Sequence, residues 1–119
     1  MEVRKNVDNL VSMVLNGKMM EAFEEYYADN VVMQENEQPA RKGKVESRKF
    51  EQMFVESVKQ VHGAEAKNVA VVGDTAFIEW FMDITFKDGT RKKMTEVAVQ
   101  KWKNGKVVHE KFYYDSGAS

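Results

Sequence analysis

Three turn dipeptides divide the second half of this chain into segments of strand length. They are Gly73-Asp74, Asp88-Gly89 and Asn104-Gly105. Gly, Asn and Asp pairs between apolar stretches are a strong local signal for a β-hairpin, because they accept the backbone angles of a two-residue turn. The pattern predicts a run of antiparallel strands, whose apolar face another part of the chain must cover.

The first half of the chain shows the three- and four-residue spacing of amphipathic helices. We predict a helix that ends near Asn16, a second that Asp29-Asn30 stops before a strand at Val31, and a third that closes at Gly63. The apolar positions behind these helices are Val3, Val7, Leu10, Val11 and Val14, then Met19, Met20, Phe23, Tyr26 and Tyr27, and last Phe50, Met53, Phe54, Val58 and Val61. From Gly117 onward we predict a frayed tail.

Length and composition limit the class of protein. The 119 residues, 43% of them hydrophobic, suffice for one domain with a core, so we predict a single domain over residues 1–119. The 18 basic and 19 acidic residues are dispersed, so the sequence predicts no nucleic-acid partner and no membrane partner. The N-terminus lacks a secretory signal, no apolar run reaches the roughly 20 residues of a membrane helix, and we expect a cytoplasmic protein.

If each dipeptide forms a two-residue turn, the strand register and the two sheet faces follow. Ile78 then opposes both Val69 and Val99, and Val99 also opposes Glu110. One face collects Val69, Val71, Ile78, Trp80, Met82, Ile84, Val97, Val99, Val108, Phe112 and Tyr114, with Glu110 among them. The opposite face collects Phe77, Glu79, Phe81, Asp83, Glu96, Ala98, Gln100, Trp102, His109, Lys111 and Tyr113.

The apolar sheet face needs the three helices as its cover. We therefore predict an α+β fold, in which a cone-shaped, strongly curved, mostly antiparallel sheet wraps over three N-terminal helices and encloses an apolar pocket. Such a lining favours a small hydrophobic ligand. The predicted ligand-binding residues are Trp80, Met82, Val97, Val99, Phe112, Tyr114, Tyr27 and Phe54.

Glu110 is the one carboxylate predicted on the apolar face. A charged carboxylate among apolar neighbours is costly, so it must be paired, hydrated, exposed at the pocket mouth or protonated with a raised pKa. One interpretation makes Glu110 a general acid/base or a ligand anchor. The other makes it a structural carboxylate that bonds to backbone, tyrosine or lysine.

The order of elements resembles the nuclear-transport-factor-2-like superfamily, which includes ketosteroid isomerases and SnoaL-like polyketide cyclases. The resemblance is carried by the helix-to-strand segment Tyr27–Glu35, by the helix-helix-strand-helix-meander order, and by the closing strand Gly105–Asp115. That closing strand is most similar to SnoaL-like proteins, a group that contains cyclases, hydrolases and members with no assigned reaction.

The resemblance to ketosteroid isomerases places Glu35 where those enzymes hold their proton-shuttling aspartate. It implies that Glu35 is a catalytic base, whereas the alternative is an exposed glutamate at a strand end. Those enzymes also use a tyrosine on helix one and a protonated aspartic acid on the sheet as oxyanion donors. The matching positions here lie near Leu10 and Val97, which are aliphatic. This difference weighs against efficient steroid isomerisation.

Other functional signals in the sequence are weak. His62 and His109 are the only histidines and there is no cysteine, so no metal site and no cofactor is predicted. Three classes of function stay open. The first is an isomerase- or cyclase-type enzyme with Glu35 and Glu110 as catalytic groups. The second is a non-catalytic binder of a small hydrophobic molecule.

The third class is a dimerising accessory domain with a filled cavity. The outer sheet face carries several aromatic residues that a homodimer would cover. We therefore predict a homodimer through that face, in which Phe77, Phe81, Ala98, Trp102 and Tyr113 make the contacts.

Overall fold

The computed structural model describes residues 2–116, which form three helices and six strands. The predicted tail from Gly117 lies outside this range. The helices are α1 (Glu2–Leu15), α2 (Met19–Tyr26) and α3 (Lys44–Ser57). The strands are β1 (Tyr27–Glu35), β2 (Arg41–Lys42), β3 (Val58–Val72), β4 (Thr75–Phe86), β5 (Arg91–Lys103) and β6 (Lys106–Tyr114).

The six strands form one curved sheet in the order β2-β1-β6-β5-β4-β3. Every neighbouring pair is antiparallel except β1 and β6, which run parallel. The helices cover the concave face, and their apolar side chains join those of the sheet in one core. Its buried members are Val7, Leu10, Ala22, Phe23, Tyr26, Tyr27, Val31, Met33, Ala76, Ile78, Trp80, Ala98, Trp102 and Val107. The predicted α+β cone is confirmed.

The first two helices occur as predicted, except that β1 begins at Tyr27, four residues before the predicted strand start at Val31. The prediction for the end of α3 at Gly63 was wrong. The helix begins at Lys44 and ends at Ser57, and Val58, Val61 and Gly63 belong to β3. Pairing of β3 with the whole length of β4 outweighs the helical spacing of the two valines, because β-branched residues also suit a paired strand.

The Gly73-Asp74 turn gives the predicted pairing of Val69 with Ile78. The Asp88-Gly89 turn does not, because the loop contains three residues, 87–89, with Gly89 at a φ of 94°. The amide of Gly89 donates to the Phe86 carbonyl, and the amide of Phe86 donates to the Thr90 carbonyl at 2.8 Å. The extra loop residue moves β5 by one position, so that Ile78 opposes Ala98.

A bulge between β5 and β6 adds a second shift, in the opposite direction along β5. Asn104-Gly105 forms the predicted two-residue turn, with both residues at positive φ and Lys103 opposite Lys106. Lys101 then pairs with His109 and Trp102 with Val107, which leaves Val108 as the additional residue. Beyond the bulge Glu110 opposes Gln100 instead of Val99.

The faces predicted for β5 were therefore reversed, because a shift of one residue exchanges the two faces of a strand. Val97 and Val99 lie on the outer face, and Glu96, Ala98, Gln100 and Trp102 point to the concave side. Ala98 and Trp102, which were predicted to make dimer contacts, are buried in the core. Phe77 and Tyr113 are still exposed on the outer face. The homodimer itself stays a prediction.

Candidate functional site

A pocket of about 590 Å³ opens between α3, the end of β1 and the strands β5 and β6. We call it the outer compartment. Its lining combines aromatic rings and methionines with acidic groups, and two lysines lie in β5 at one side. The lining residues are Met19, Glu35, Phe50, Glu51, Phe54, Met82, Lys92, Lys93, Met94, Thr95, Glu96, Phe112, Tyr114, Asp115 and Ser116.

A smaller space of about 80 Å³ lies deeper in the cone, and we call it the inner compartment. Its lining residues are Leu10, Val14, Met19, Ala22, Phe23, Tyr27, Glu51, Trp80, Met82, Glu96, Gln100, Glu110 and Phe112. Glu51 and Glu96 line both spaces. The two compartments therefore meet at these carboxyl groups.

Glu35 ends β1 at the outer compartment and forms an ion pair with Arg41 of β2. The Arg41 Nη2 atom lies 3.1 Å from Glu35 Oε2, and both side chains are 16% exposed. The Arg41 guanidinium also stacks 3.7 Å from the centre of the Phe50 ring. Burial and the Glu35 carboxylate raise the pKa of the Tyr114 hydroxyl to about 12, so this hydroxyl keeps its proton beside Glu35. The ion pair presents Glu35 to the pocket as a carboxylate.

Glu51 reaches the cavity from α3, where Ser47, Glu51 and Phe54 recur at helical spacing on the face turned inward. Glu51 is only 8% exposed and has no side-chain hydrogen bond or ion pair to another residue within 2–116. Burial raises the pKa of the Glu51 carboxyl to about 8, and the nearby Glu110 carboxyl adds to this shift while Arg41 opposes it. Glu51 is thus a carboxylic acid at neutral pH.

Glu96 occupies the middle of β5, opposite Trp80 on one side and Tyr114 on the other. Its carboxyl group lines both compartments. Burial raises the pKa of Glu96 to about 8, with further contributions from the charges of Glu35 and Glu110. Glu96 is a second neutral acid, and it faces the same cavity as the Glu35 carboxylate.

Glu110 lies at the base of the inner compartment and is 1% exposed. The Tyr27 hydroxyl donates a short hydrogen bond to its Oε1 atom, and Gln100 Nε2 donates to Oε2 at 2.7 Å. Gln100 in turn accepts a hydrogen bond from the Trp102 indole at 3.0 Å. Burial raises the pKa of Glu110 to about 7, although the two donors favour its charged form. These bonds support the structural interpretation of Glu110, because both of its oxygens have partners.

Six of the eight predicted ligand-binding residues line one or both compartments: Tyr27, Phe54, Trp80, Met82, Phe112 and Tyr114. Val97 and Val99 line neither compartment, because the register of β5 places them on the outer face. Both predicted catalytic residues, Glu35 and Glu110, are at the cavity. Their roles stay predictions.

Glu51 and Glu96 are the cavity residues that the sequence analysis missed. The spacing of Ser47, Glu51 and Phe54 could have identified the inner face of α3, but the exposed Phe50 and Met53 gave a stronger apolar signal. Glu96 could have been found only with the three-residue loop and the bulge at Val108, since both set the register of β5.

The raised pKa values of the buried carboxyl groups predict that stability falls as pH rises. The folded protein holds protons on Glu51, Glu96 and Glu110 that the unfolded chain releases above the ordinary value of 4.5. Their stabilising contribution is therefore complete below that pH and is lost as the pH passes through about 7 to 8. We expect urea unfolding to give a lower free energy at about pH 8.5 than at about pH 5. Glu51→Gln should reduce this difference, whereas the exposed Glu56→Gln should leave it unchanged.

Neither a metal centre nor a membrane span is found in the part of the chain that the structure describes. Residues 2–116 contain no group of three or more His, Asp or Glu side chains placed to hold a metal ion. None of the described helices is long and apolar enough to cross a membrane.

A protein-family model and several solved structures match this chain. The family model of the SnoaL-like domain matches residues 1–114. The chain belongs to the SnoaL-like family. A Mesorhizobium loti protein supports this result with 30% identity and a TM-score of 0.85, and the match covers 96% of this chain and 100% of that one. That protein is provisionally described as a SnoaL-like polyketide cyclase, with carbohydrate phosphatase as a second description.

More distant structures share the SnoaL-like fold. A Bacillus subtilis protein provisionally described as an isomerase is 16% identical, with a TM-score of 0.78 over 96% of this chain and 86% of that one. A Catenulispora acidiphila protein with a ketosteroid-isomerase-like fold, solved in complex with trimethylamine, is 13% identical. Its TM-score is 0.75 over 93% of this chain and 85% of that one. No curated protein matches this chain.

Proposed function

We propose that this SnoaL-like protein is an enzyme that moves a proton at a carbon atom next to a carbonyl group. Its substrate is a small, mostly apolar molecule held in the outer compartment. In this proposal Glu35 is the base, and Glu96 is the acid that hydrogen-bonds the carbonyl oxygen. The reaction belongs to the isomerase or polyketide-cyclase type.

One observation carries the proposal: a carboxylate and a carboxylic acid face the same cavity. Arg41 pairs with Glu35, while burial raises the pKa of Glu96 to about 8. Two titratable groups whose surroundings favour opposite protonation states are a recurring arrangement in acid–base catalysis. The Phe50, Phe54 and Met82 side chains add apolar surface beside these two groups, which strengthens their electrostatic interactions with a bound substrate.

The proposed chemical step begins when the Glu35 carboxylate removes a proton from the carbon next to the carbonyl. The electron pair of the broken C–H bond moves to the carbonyl oxygen and gives an enolate. The Glu96 carboxylic acid donates a hydrogen bond to that oxygen as its negative charge develops. In an isomerisation, protonated Glu35 returns the proton to another carbon. In a cyclisation, the enolate carbon instead attacks the carbon of a second carbonyl of the same molecule, and the alkoxide that forms takes the proton from Glu35.

The observed register of β5 changes the argument about missing oxyanion donors at one of the two aliphatic positions. The sheet position near Val97 was expected to offer only an aliphatic side chain as an oxyanion donor. Its neighbour Glu96 faces the cavity and provides a carboxylic acid. At the other position Leu10 itself is buried and lines the inner compartment. Its side chain is aliphatic and supplies no donor.

Binding without turnover is the second candidate function. The Leu10 side chain supplies no second donor, and the Tyr27 hydroxyl is already bonded to Glu110. Incubation of the protein in D₂O with a panel of small apolar ketones separates the two functions. Deuterium uptake at the carbon next to the carbonyl that is faster than in buffer alone, followed by ¹H NMR, requires an enzyme, whereas a binder shifts ligand resonances without added exchange.

The proton on Glu96 makes the proposed reaction sensitive to alkaline pH. We expect kcat for deuterium exchange to fall as the pH rises through about 8, because the ionised Glu96 no longer donates to the substrate oxygen. Glu96→Leu should lower kcat roughly 100-fold and remove this alkaline limb. Glu65→Gln, which changes an exposed carboxylate on β3, is the control. A limb that persists in Glu96→Leu would assign the acid to another group.

A further inference from the structure

We infer that the inner compartment binds a small organic cation, namely the alkylammonium group of a ligand. The inference uses the cavity of the proposed function but does not require turnover. It concerns the deep space below Glu51 and Glu96, whereas Glu35 and its proposed chemistry belong to the outer compartment.

The charge pattern of the inner lining is one-sided. Three carboxyl groups line this space, those of Glu51, Glu96 and Glu110. None of the described residues in its lining is Lys, Arg or His, and the nearby Lys92 and Lys93 line only the outer compartment. Arg41 lines neither compartment; it pairs with Glu35 and stacks on Phe50, while its buried Nε atom has no hydrogen-bond partner within residues 2–116. In their ionised form these groups would repel a bound anion and attract a cation, and a bound cation in turn favours that ionised form.

Glu51 supplies an independent reason to expect a polar ligand. Its side chain is more than nine-tenths buried and lines both compartments, yet it has no hydrogen-bond or ion-pair partner within residues 2–116. Glu110, by contrast, has a donor on each oxygen. The fully enclosed side-chain atoms without a partner are Arg41 Nε and Ser47 Oγ, so the Glu51 oxygens face the cavity space, where an ammonium N–H would bond to them.

The rings around the inner compartment add a second attraction for cations. Phe23, Tyr27, Trp80 and Phe112 line the space, and the Phe23 and Tyr27 rings stack with their centroids 4.8 Å apart. Aromatic faces attract cations, and several rings around one space are a known arrangement for binding quaternary ammonium groups. A neutral apolar group would gain contact with the rings but nothing from the carboxyl groups.

Size and ionisation fit the same kind of ligand. A space of about 80 Å³ suits a small head group, such as a methylated ammonium, better than a bulky one. A cation in contact with Glu51 lowers the pKa of its carboxyl, which burial raises to about 8. Glu51 can therefore release its proton at small cost when the cation arrives.

Probes of equal shape and different charge test the inference. Calorimetric titration at about pH 8 should show tetramethylammonium binding at least tenfold more tightly than the neutral tert-butanol, and no binding of pivalate. The larger tetraethylammonium should bind at least tenfold more weakly than tetramethylammonium. The Trp80 indole resonance should shift on binding in the ¹H–¹⁵N NMR spectrum, which locates the probe in the inner compartment.

Two variants of α3 complete the experiment. Glu51→Gln should weaken tetramethylammonium binding about tenfold and change tert-butanol binding less than twofold, while Glu56→Gln should change neither. If Glu51→Gln does not fold, Trp80→Leu should weaken the cation more than the alcohol. Equal affinities for tetramethylammonium and tert-butanol would overturn the inference. So would a tetramethylammonium affinity that neither Glu51→Gln nor Trp80→Leu changes. Deuterium exchange that persists alongside either result would leave the proposed enzyme intact.

Discussion

Replacement of Glu35 by glutamine should lower kcat for deuterium exchange at an enolisable ketone by about 1,000-fold. The amide keeps the size of the side chain but cannot accept the proton. Because the loss falls on the chemical step, we expect KM to change little. The measurement is exchange in D₂O followed by NMR over a range of ketone concentrations.

Glu37→Gln is the matched control for this variant. Glu37 lies two residues further along the chain, its side chain is 85% exposed, and it pairs with Lys111 at 2.7 Å instead of facing the cavity. Unfolding curves of both variants should show that the fold tolerates the loss of the Glu35 carboxylate beside Arg41. Full activity of Glu35→Gln would eliminate Glu35 as the base and would leave the outer compartment without its proposed chemistry.

The second large effect is expected on stability, from Ala98→Glu. Ala98 is fully buried between Ile78 of β4 and Phe112 of β6, on the face that already carries Glu96 and Glu110. A further carboxylate there would be buried without a partner and would be repelled by its neighbours. We expect a loss of at least about 4 kcal/mol in the free energy of unfolding, measured with urea.

Val99→Glu provides the comparison from the opposite face of the same strand. Val99 lies opposite Lys111, so a glutamate there gains a cationic neighbour and should cost about 1 kcal/mol or less. With a two-residue turn before β5 and no bulge at Val108, the two variants would exchange their effects. The pair of measurements therefore tests the register of β5 independently of any activity.

The sequence predicts the layers of this fold better than it predicts the faces of β5. Repeated apolar spacing over α1 and α2 and two-residue turns at Gly73-Asp74 and Asn104-Gly105 are local properties, and all of these features occur in the structure. The three-residue loop at 87–89 and the bulge at Val108 depend on how neighbouring strands pair. Each moves β5 by one residue, and one residue is enough to exchange its faces.

The candidate site was predictable to a similar extent. Glu35 follows from the resemblance of Tyr27–Glu35, and Glu110 lies inside the cone as predicted because the shifts on the two sides of β5 cancel for the faces of β6. Glu51 and Glu96 do not, because one lies on the polar inner face of α3 and the other on the misassigned strand. A core is predicted from a regular apolar pattern, and polar side chains at a functional cavity interrupt that pattern. Residues with a chemical role are therefore the ones that the pattern does not identify.

The protonation states of the cavity glutamates test the central claim most directly. ¹³C NMR of protein labelled at the glutamate carboxyl carbons, assigned with single Glu→Gln variants, follows each group through a pH titration. At about pH 6.5 we predict a carboxylate signal for Glu35 and a carboxylic-acid signal for Glu96 that titrates near pH 8. If Glu35 and Glu96 both give carboxylate signals at that pH, the cavity holds no such acid–base pair and the proposed mechanism is wrong.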